Sequence, residues 1–283
     1  MDLEMLRARE ELGSECFEKH LRNVFGIHCL DFVETIVINL PEPCYADCEY
    51  CIDKQLRKHS ISSKKFLKVC EKVLVEFPNA KNVSITGGSL NPVDFNILMM
   101  MVKQYLPKSF VIWNTNGIGI NEKYLSGFSK INYVNLHRNS LVESENQKKF
   151  KTKREIISIE KAKLLFGEKL FIRVTVDENF ELDEFIKAGV PLYLNRLLPG
   201  TDVTNNNFKK TMKKLQIENV KKKRRNVYID SMYCEIPIRI CLGDKLAECI
   251  PNRKPTYLNV AIIHRSGIVC GSWYENDKVI YKP

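Results

Sequence analysis

Three cysteines fall within eight positions in the stretch PEPCYADCEYC, residues 41–51: Cys44, Cys48 and Cys51, with three residues in the first gap and two in the second. Thiolates are soft ligands that select zinc or iron–sulfur clusters. Structural zinc takes four closed ligands, usually as two close pairs, and three cysteines at this spacing do not make two pairs. A cubane 4Fe–4S cluster has four irons, so three thiolates leave one iron without a protein ligand. An open metal position is where a substrate or cofactor binds. A zinc site in a loop is the plainer alternative.

Other polar groups sit where strand-like runs end. Thr86-Gly87-Gly88-Ser89 closes NVSIT, Thr115 and Asn116 stand in WNTNG, and His137 and Arg138 follow NYVNL. Arg173 lies inside LFIRVTV, while Asn195 and Arg196 end VPLYLN. Paired glycines let main-chain groups approach a ligand without side-chain obstruction, and an Asn-Gly pair also makes an ordinary turn. An inward Arg173 would meet a carboxylate; an outward one would be solvated.

The elements that must position these groups are legible as an alternation. Strands are expected at 35–40, 82–86, 110–114, 132–136, 170–176 and 190–195, all near-continuous apolar or β-branched runs of the kind found in parallel sheets. Helices are expected at 62–77, with Phe66, Cys70, Val73 and Phe77 on one stripe behind Ser62 and Ser63, and at 92–106, opened by Pro92. Weaker patterns cover 121–128, 155–166 and 181–188, the last stopped by Gly189. Six strand–helix units imply an α/β fold with a parallel sheet and right-handed crossovers, doubly wound or curled into a partial barrel. In either form the site belongs at the carboxyl ends of the strands, and Cys44 follows the first strand there.

The 283 residues, 44% of them apolar, can form a sizeable core. The longest apolar run, residues 97–102, is too short to cross a bilayer, and the first residues lack the apolar stretch of a secretion signal. A cytoplasmic protein with no membrane partner is expected. Its cysteines then read as metal or cluster ligands rather than disulfides. The charge of +10 is local: residues 209–225 hold nine basic side chains and one acid, Glu218. Phe208, Met212 and Leu215 give that segment an apolar edge, so it reads as the solvated face of a helix or as a landing site for an acidic peptide or nucleic acid.

Taken together, Cys44-x3-Cys48-x2-Cys51, with aromatic Tyr50 before the last cysteine and the whole motif after the first strand, resembles the signature of the radical S-adenosylmethionine (SAM) superfamily. The resemblance implies a partial (β/α)6 barrel at residues 30–204, preceded by an N-terminal helix at 1–29 and followed by a C-terminal extension at 205–283. It implies a 4Fe–4S cluster on Cys44, Cys48 and Cys51, whose free iron chelates SAM. Reductive cleavage of SAM then gives a 5′-deoxyadenosyl radical that abstracts hydrogen from substrate. Gly87 and Gly88 match the family's Gly-Gly-Glu, but Ser89 replaces the glutamate. Thr86, Thr115, Asn116, Arg173 and Asn195 are further candidates for SAM contacts. Cys249 and Cys270 flank a loose version of the hairpin that some members use for an auxiliary iron–sulfur cluster, and Cys234 and Cys241 would complete four ligands. An electron donor such as flavodoxin or ferredoxin is implied. The substrate expected is a peptide or natural-product intermediate. A nucleoside or RNA modification, or a cluster- or zinc-binding redox regulator, is the alternative.

Overall fold

The structure is a computed structural model that describes residues 33–48, 51, 60–196, 202–215, 228–241, 260–271 and 279–282. The expected N-terminal helix at 1–29, Tyr50, Cys249 and residues 216–225 of the basic segment lie outside the described residues.

In chain order the elements are β1 (Thr35–Leu40), α1 (Ser63–Glu76), β2 (Asn82–Gly87), α2 (Pro92–Tyr105), β3 (Phe110–Thr115), α3 (Leu125–Phe128), β4 (Tyr133–His137), α4 (Glu143–Lys149), α5 (Ile159–Phe166), β5 (Leu170–Val176), α6 (Leu182–Ile186), β6 (Leu192–Arg196) and α7 (Asp202–Lys214). Five further strands follow: β7 (Tyr228–Tyr233), β8 (Ile236–Cys241), β9 (Val260–Ile263), β10 (Val269–Cys270) and β11 (Val279–Tyr281). The six expected strands all form, with ends within two residues of expectation.

The chain divides into two compact units. The first comprises residues 1–43, 53–111 and 254–283; the second comprises 44–52 and 112–253. In the first, the sheet order is β11-β10-β9-β1-β2. β1 runs parallel to both β2 and β9, while β10 is antiparallel to its neighbours. Phe66, Cys70, Val73 and Phe77 are all buried, as their helical spacing requires. Ser62 occupies the N-cap of α1 without a side-chain capping bond, whereas Asn91 caps α2 by accepting from the Asp94 amide, with Pro92 at the first helical turn.

In the second unit the order is β3-β4-β5-β6-β8-β7, parallel throughout except for the β7–β8 hairpin. β5 alternates strictly between buried and half-buried positions. Residues 170, 172, 174 and 176 are buried on one face, and Phe171, Arg173 and Thr175 line the other. Trp113 shows what covers the buried face: its ring lies 5.7 Å from Phe128 of α3 and 6.3 Å from Phe166 of α5. The opposite face carries the polar side chains.

Helix α5 starts at Ile159 rather than 155, because Ser158 caps it by accepting from the Lys161 amide and Ile156 bridges to Ile118 instead. Helix α4 was not expected. The basic segment begins on α7, where Phe208 and Thr211 are buried and Lys209, Lys210, Lys213 and Lys214 are exposed, with Leu215 buried just after the helix. Over these residues the lysines form the solvated face of a helix. The C-terminal strands extend the strand order of each unit, β7 and β8 in the second and β9 to β11 in the first.

Candidate functional site

The loop that leaves β1 carries the cysteine motif. Cys44 and Cys48 are half-buried against a small apolar cluster of Ala46, Ile118, Phe150 and Ile156. The Asp47 amide donates to the Phe150 carbonyl at 2.7 Å, and the Cys51 amide closes a turn onto the Cys48 carbonyl at 3.3 Å. Two N–H groups face the Cys44 sulfur: the Ala46 amide at 3.5 Å and the Asn116 side-chain amide at 3.3 Å. Tyr45 lies under the Arg154 guanidinium, 3.5 Å from ring centroid to Cζ. Among the described residues no three His, Cys, Asp or Glu side chains are gathered as ligands of one metal ion. The three thiols share one loop, and the N–H donors at Cys44 with the apolar flank of Cys44 and Cys48 are surroundings that suit sulfur ligands of an iron–sulfur cluster.

Thr115, Asn116 and Gly117 form a tight turn at the end of β3. Thr115 Oγ1 accepts from the Gly117 amide at 3.1 Å, and Asn116 Oδ1 accepts from the Ile118 amide at 3.1 Å. Gly117 holds φ +77°, and a Cβ there would stand 2.6 Å from Ile157 and 2.8 Å from Leu136. Behind the turn, Arg138 is almost wholly buried. Its guanidinium donates to the main-chain carbonyls of Asn116 (2.8 Å), His137 (2.7 Å) and Ile157. Burial lowers its pKa to about 10, against the opposing pull of Glu143, so it is still a cation at neutral pH. His137 is pushed to about 3, first by desolvation and then by the charges of Arg173 and Arg138, and is neutral at pH 7.

Across the polar face, Asn114 Oδ1 accepts from Asn135 at 3.0 Å and from Arg173 at 3.2 Å. Arg173 points along this face, with its guanidinium 5.4 Å from the Tyr193 ring, and all its partners among the described residues are neutral. Asn195 lies in register with Thr175 and Cys241 toward the carboxyl ends. It is buried, and its Nδ2 has no acceptor among the described residues. Arg196 closes β6.

In the first unit, the two glycines after β2 seat one strand end on another. Gly87 holds φ +79°, and a Cβ there would collide with Asn39 Oδ1 at 1.7 Å. A Cβ on Gly88 would stand 1.8 Å from the Glu42 carbonyl and 2.8 Å from that of Leu40. Thr86 is paired in register with Asn39. Ser89 bridges to Glu42 through two main-chain bonds, and its hydroxyl donates to the Pro43 carbonyl at 3.1 Å. The glycines are therefore required by close approach of β1 and β2, before any ligand is considered. The buried pair His264 and Arg265, on the β9–β10 turn, is close by: Arg265 Nη2 would lie 3.6 Å from a Gly87 Cβ.

The other described cysteines lie on separate elements. Cys234 is exposed in the β7–β8 turn at φ +46°, and Cys241 is the last residue of β8. The five strand rises from Ile236 to Cys241 amount to about 17 Å, so these two cannot ligate one cluster. In the expected four-ligand set of Cys234, Cys241, Cys249 and Cys270 these two therefore stand apart, and Cys249 lies outside the described residues. Cys270 is buried in β10 of the first unit, opposite Ile262. Cys70 is buried in α1, where desolvation holds its thiol far above the usual range.

Sequence reading passed over Asn39, Asn114, Asn135 and Arg265. Asn39 did leave a signal, as a lone amide inside the apolar run TIVINL. Arg138 was noticed, but its burial follows only from the α4–α5 segment folding over it.

The fold, mixed α/β with a mostly parallel sheet, is shared with several solved structures of low sequence identity. SuiB of Streptococcus suis bound to S-adenosylmethionine matches over 90% of this chain and 62% of its own, with TM-score 0.51 and 14% identity. SuiB bound to its precursor peptide SuiA matches over 90% and 63%, with TM-score 0.53 and 14% identity. AnSMEcpe with bound AdoMet and Cp18Cys peptide matches over 84% and 73%, with TM-score 0.55 and 16% identity. The chain thus spans less than two thirds of SuiB in these complexes. No family model matches the sequence, and no curated protein does. Among the described residues no helix is long and apolar enough to cross a membrane.

Proposed function

We propose that this chain is a radical SAM enzyme acting on a peptide or natural-product intermediate. The observation that carries the reading is the Cys44-x3-Cys48-x2-Cys51 loop leaving β1 of a fold shared with SAM-bound enzymes. Cys44, Cys48 and Cys51 would hold a 4Fe–4S cluster, which together with SAM would supply reductive SAM cleavage to a 5′-deoxyadenosyl radical.

The chain's own residues hold and shield. Cys44, Cys48 and Cys51 are the cluster ligands, and the Ala46–Ile118–Phe150–Ile156 cluster keeps water from the flank of Cys44 and Cys48. The main chain of Thr86, Gly87 and Gly88 receives the SAM amino group. The Ser89 hydroxyl is already committed to Pro43 and brings no charge to that amine. Arg173, whose partners among the described residues are neutral, is the cation for a carboxylate. The amide of Asn195, without an acceptor among the described residues, donates to an acceptor on the adenine side. Thr115 and Asn116 serve the turn and the Cys44 sulfur rather than SAM. Peptide substrates are supported by SuiB with SuiA and anSMEcpe with Cp18Cys peptide. A flavodoxin or ferredoxin supplies electrons in the cytoplasm.

The test is anaerobic reconstitution with iron and sulfide, followed by dithionite and SAM. Release of 5′-deoxyadenosine supports the reading; a fully loaded protein that leaves SAM intact contradicts it.

A further inference from the structure

We propose that Asn116 sets the reduction potential of the cluster held on Cys44, Cys48 and Cys51, by donating its side-chain N–H to the Cys44 sulfur. This rests on the cluster reading above and adds a role for a residue outside the cysteine motif.

The pose of the Asn116 amide is over-determined. Its Oδ1 accepts from the Ile118 amide at 3.1 Å, which turns Nδ2 toward Cys44 Sγ, 3.3 Å away. The opposite amide flip would set Oδ1 against the sulfur and leave the Ile118 N–H without that acceptor. The turn itself is closed by Thr115 and Gly117 at 3.1 Å. The Asn116 main-chain carbonyl is held at 2.8 Å by Arg138, a buried cation that also grips the carbonyls of His137 and Ile157. A loop fixed at both faces has little freedom to withdraw its donor when charge on the sulfur changes.

That charge does change. Reduction of a 4Fe–4S cluster adds one electron, and negative charge spreads onto the coordinating sulfurs. An N–H donor stabilises the reduced form more than the oxidised one, so the potential rises with each such bond. The flank of Cys44 is apolar, and low local polarity strengthens the effect. The Ala46 amide makes a longer approach to the same sulfur at 3.5 Å. Asn116 supplies the shorter of the two, and it is the one a side-chain substitution can remove.

The experiment is an EPR-monitored redox titration of the reconstituted full chain, comparing wild type with Asn116→Ala and Asn116→Asp. Asn116→Ala should keep the wild-type iron content while its midpoint moves negative. The reduced-to-oxidised ratio at a fixed potential should fall about tenfold, which is roughly 59 mV for a one-electron couple. Asn116→Asp preserves the acceptor for Ile118 and puts an anion in place of the donor, so its midpoint should move further in the same direction. Should Asn116→Ala fail to fold, Asn116→Asp decides alone. An unchanged midpoint at unchanged iron content overturns the proposal and leaves the cluster assignment standing. A wild-type chain that takes up no cluster overturns the assignment itself.

Discussion

The guanidinium of Arg138 occupies the ground a side chain on Gly117 would need: a Cβ on that glycine would stand 3.1 Å from Arg138 Nη2. The same Cβ would stand 2.6 Å from Ile157 and 2.8 Å from Leu136, at φ +77°. Gly117→Ala combines left-handed strain with overpacking and should destabilise the chain by about 2–4 kcal/mol. Gly119 has φ +73° but nothing within 4 Å of its ideal Cβ. Gly119→Ala should cost only about 1–2 kcal/mol, the strain alone. Urea denaturation of the two variants checks the difference, and equal losses would contradict it.

Arg138 itself satisfies three carbonyls from one buried position. Arg138→Met strands them and should cost about 3–5 kcal/mol in the same denaturation assay. Arg138→Lys retains the charge but cannot reproduce the planar fork, and should recover only part of the loss.

Gly88→Ala forces the end of β2 away from the Glu42 and Leu40 carbonyls. It should lower SAM affinity at least about tenfold, a loss of ~1.4 kcal/mol, and destabilise the fold by about 1–3 kcal/mol. Ser89→Ala gives up one hydroxyl bond to Pro43 and should cost about 0.5–1.5 kcal/mol. Isothermal titration of SAM into reconstituted protein separates the two.

His137 gives the stability a pH dependence of known sign. Its folded pKa, about 3, lies below the unfolded value near 6.5. The native state therefore binds fewer protons between these values. The contribution is fully present above about pH 6.5 and is lost as pH falls toward 3, by up to about 1.4 kcal/mol per unit. Denaturation midpoints measured from pH 4 to 8 should fall more steeply on acidification for wild type than for His137→Gln.

How much of this was readable beforehand follows from where the signal lay. The strands from Thr35–Leu40 to Leu192–Arg196 were legible because each is a short apolar or β-branched run closed by polar residues. Helix α4, Glu143–Lys149, was not, because its sequence ESENQKK offers no apolar stripe. Its one buried side chain is Asn146, which folds the 139–142 turn by accepting from Asn139 and Ser140 and donating to the Ser140 and Val142 carbonyls. The cysteine loop and paired glycines stood out by residue type. The partners that hold Asn116 and Arg138 did not, since contacts such as Arg138 to Ile157 join residues 19 apart through tertiary folding. Spacing along the chain likewise does not reveal that an extended strand separates Cys234 from Cys241.

The most direct measurement is iron content and SAM cleavage in the reconstituted chain, alongside variants in which Cys44, Cys48 and Cys51 are each replaced by alanine. The account predicts about four irons per chain, dithionite-dependent formation of 5′-deoxyadenosine, and loss of both in all three variants, with Cys234→Ala and Cys270→Ala retaining both. Zinc in place of iron, or a cluster that survives loss of Cys44, Cys48 or Cys51 and leaves SAM uncleaved, would contradict it.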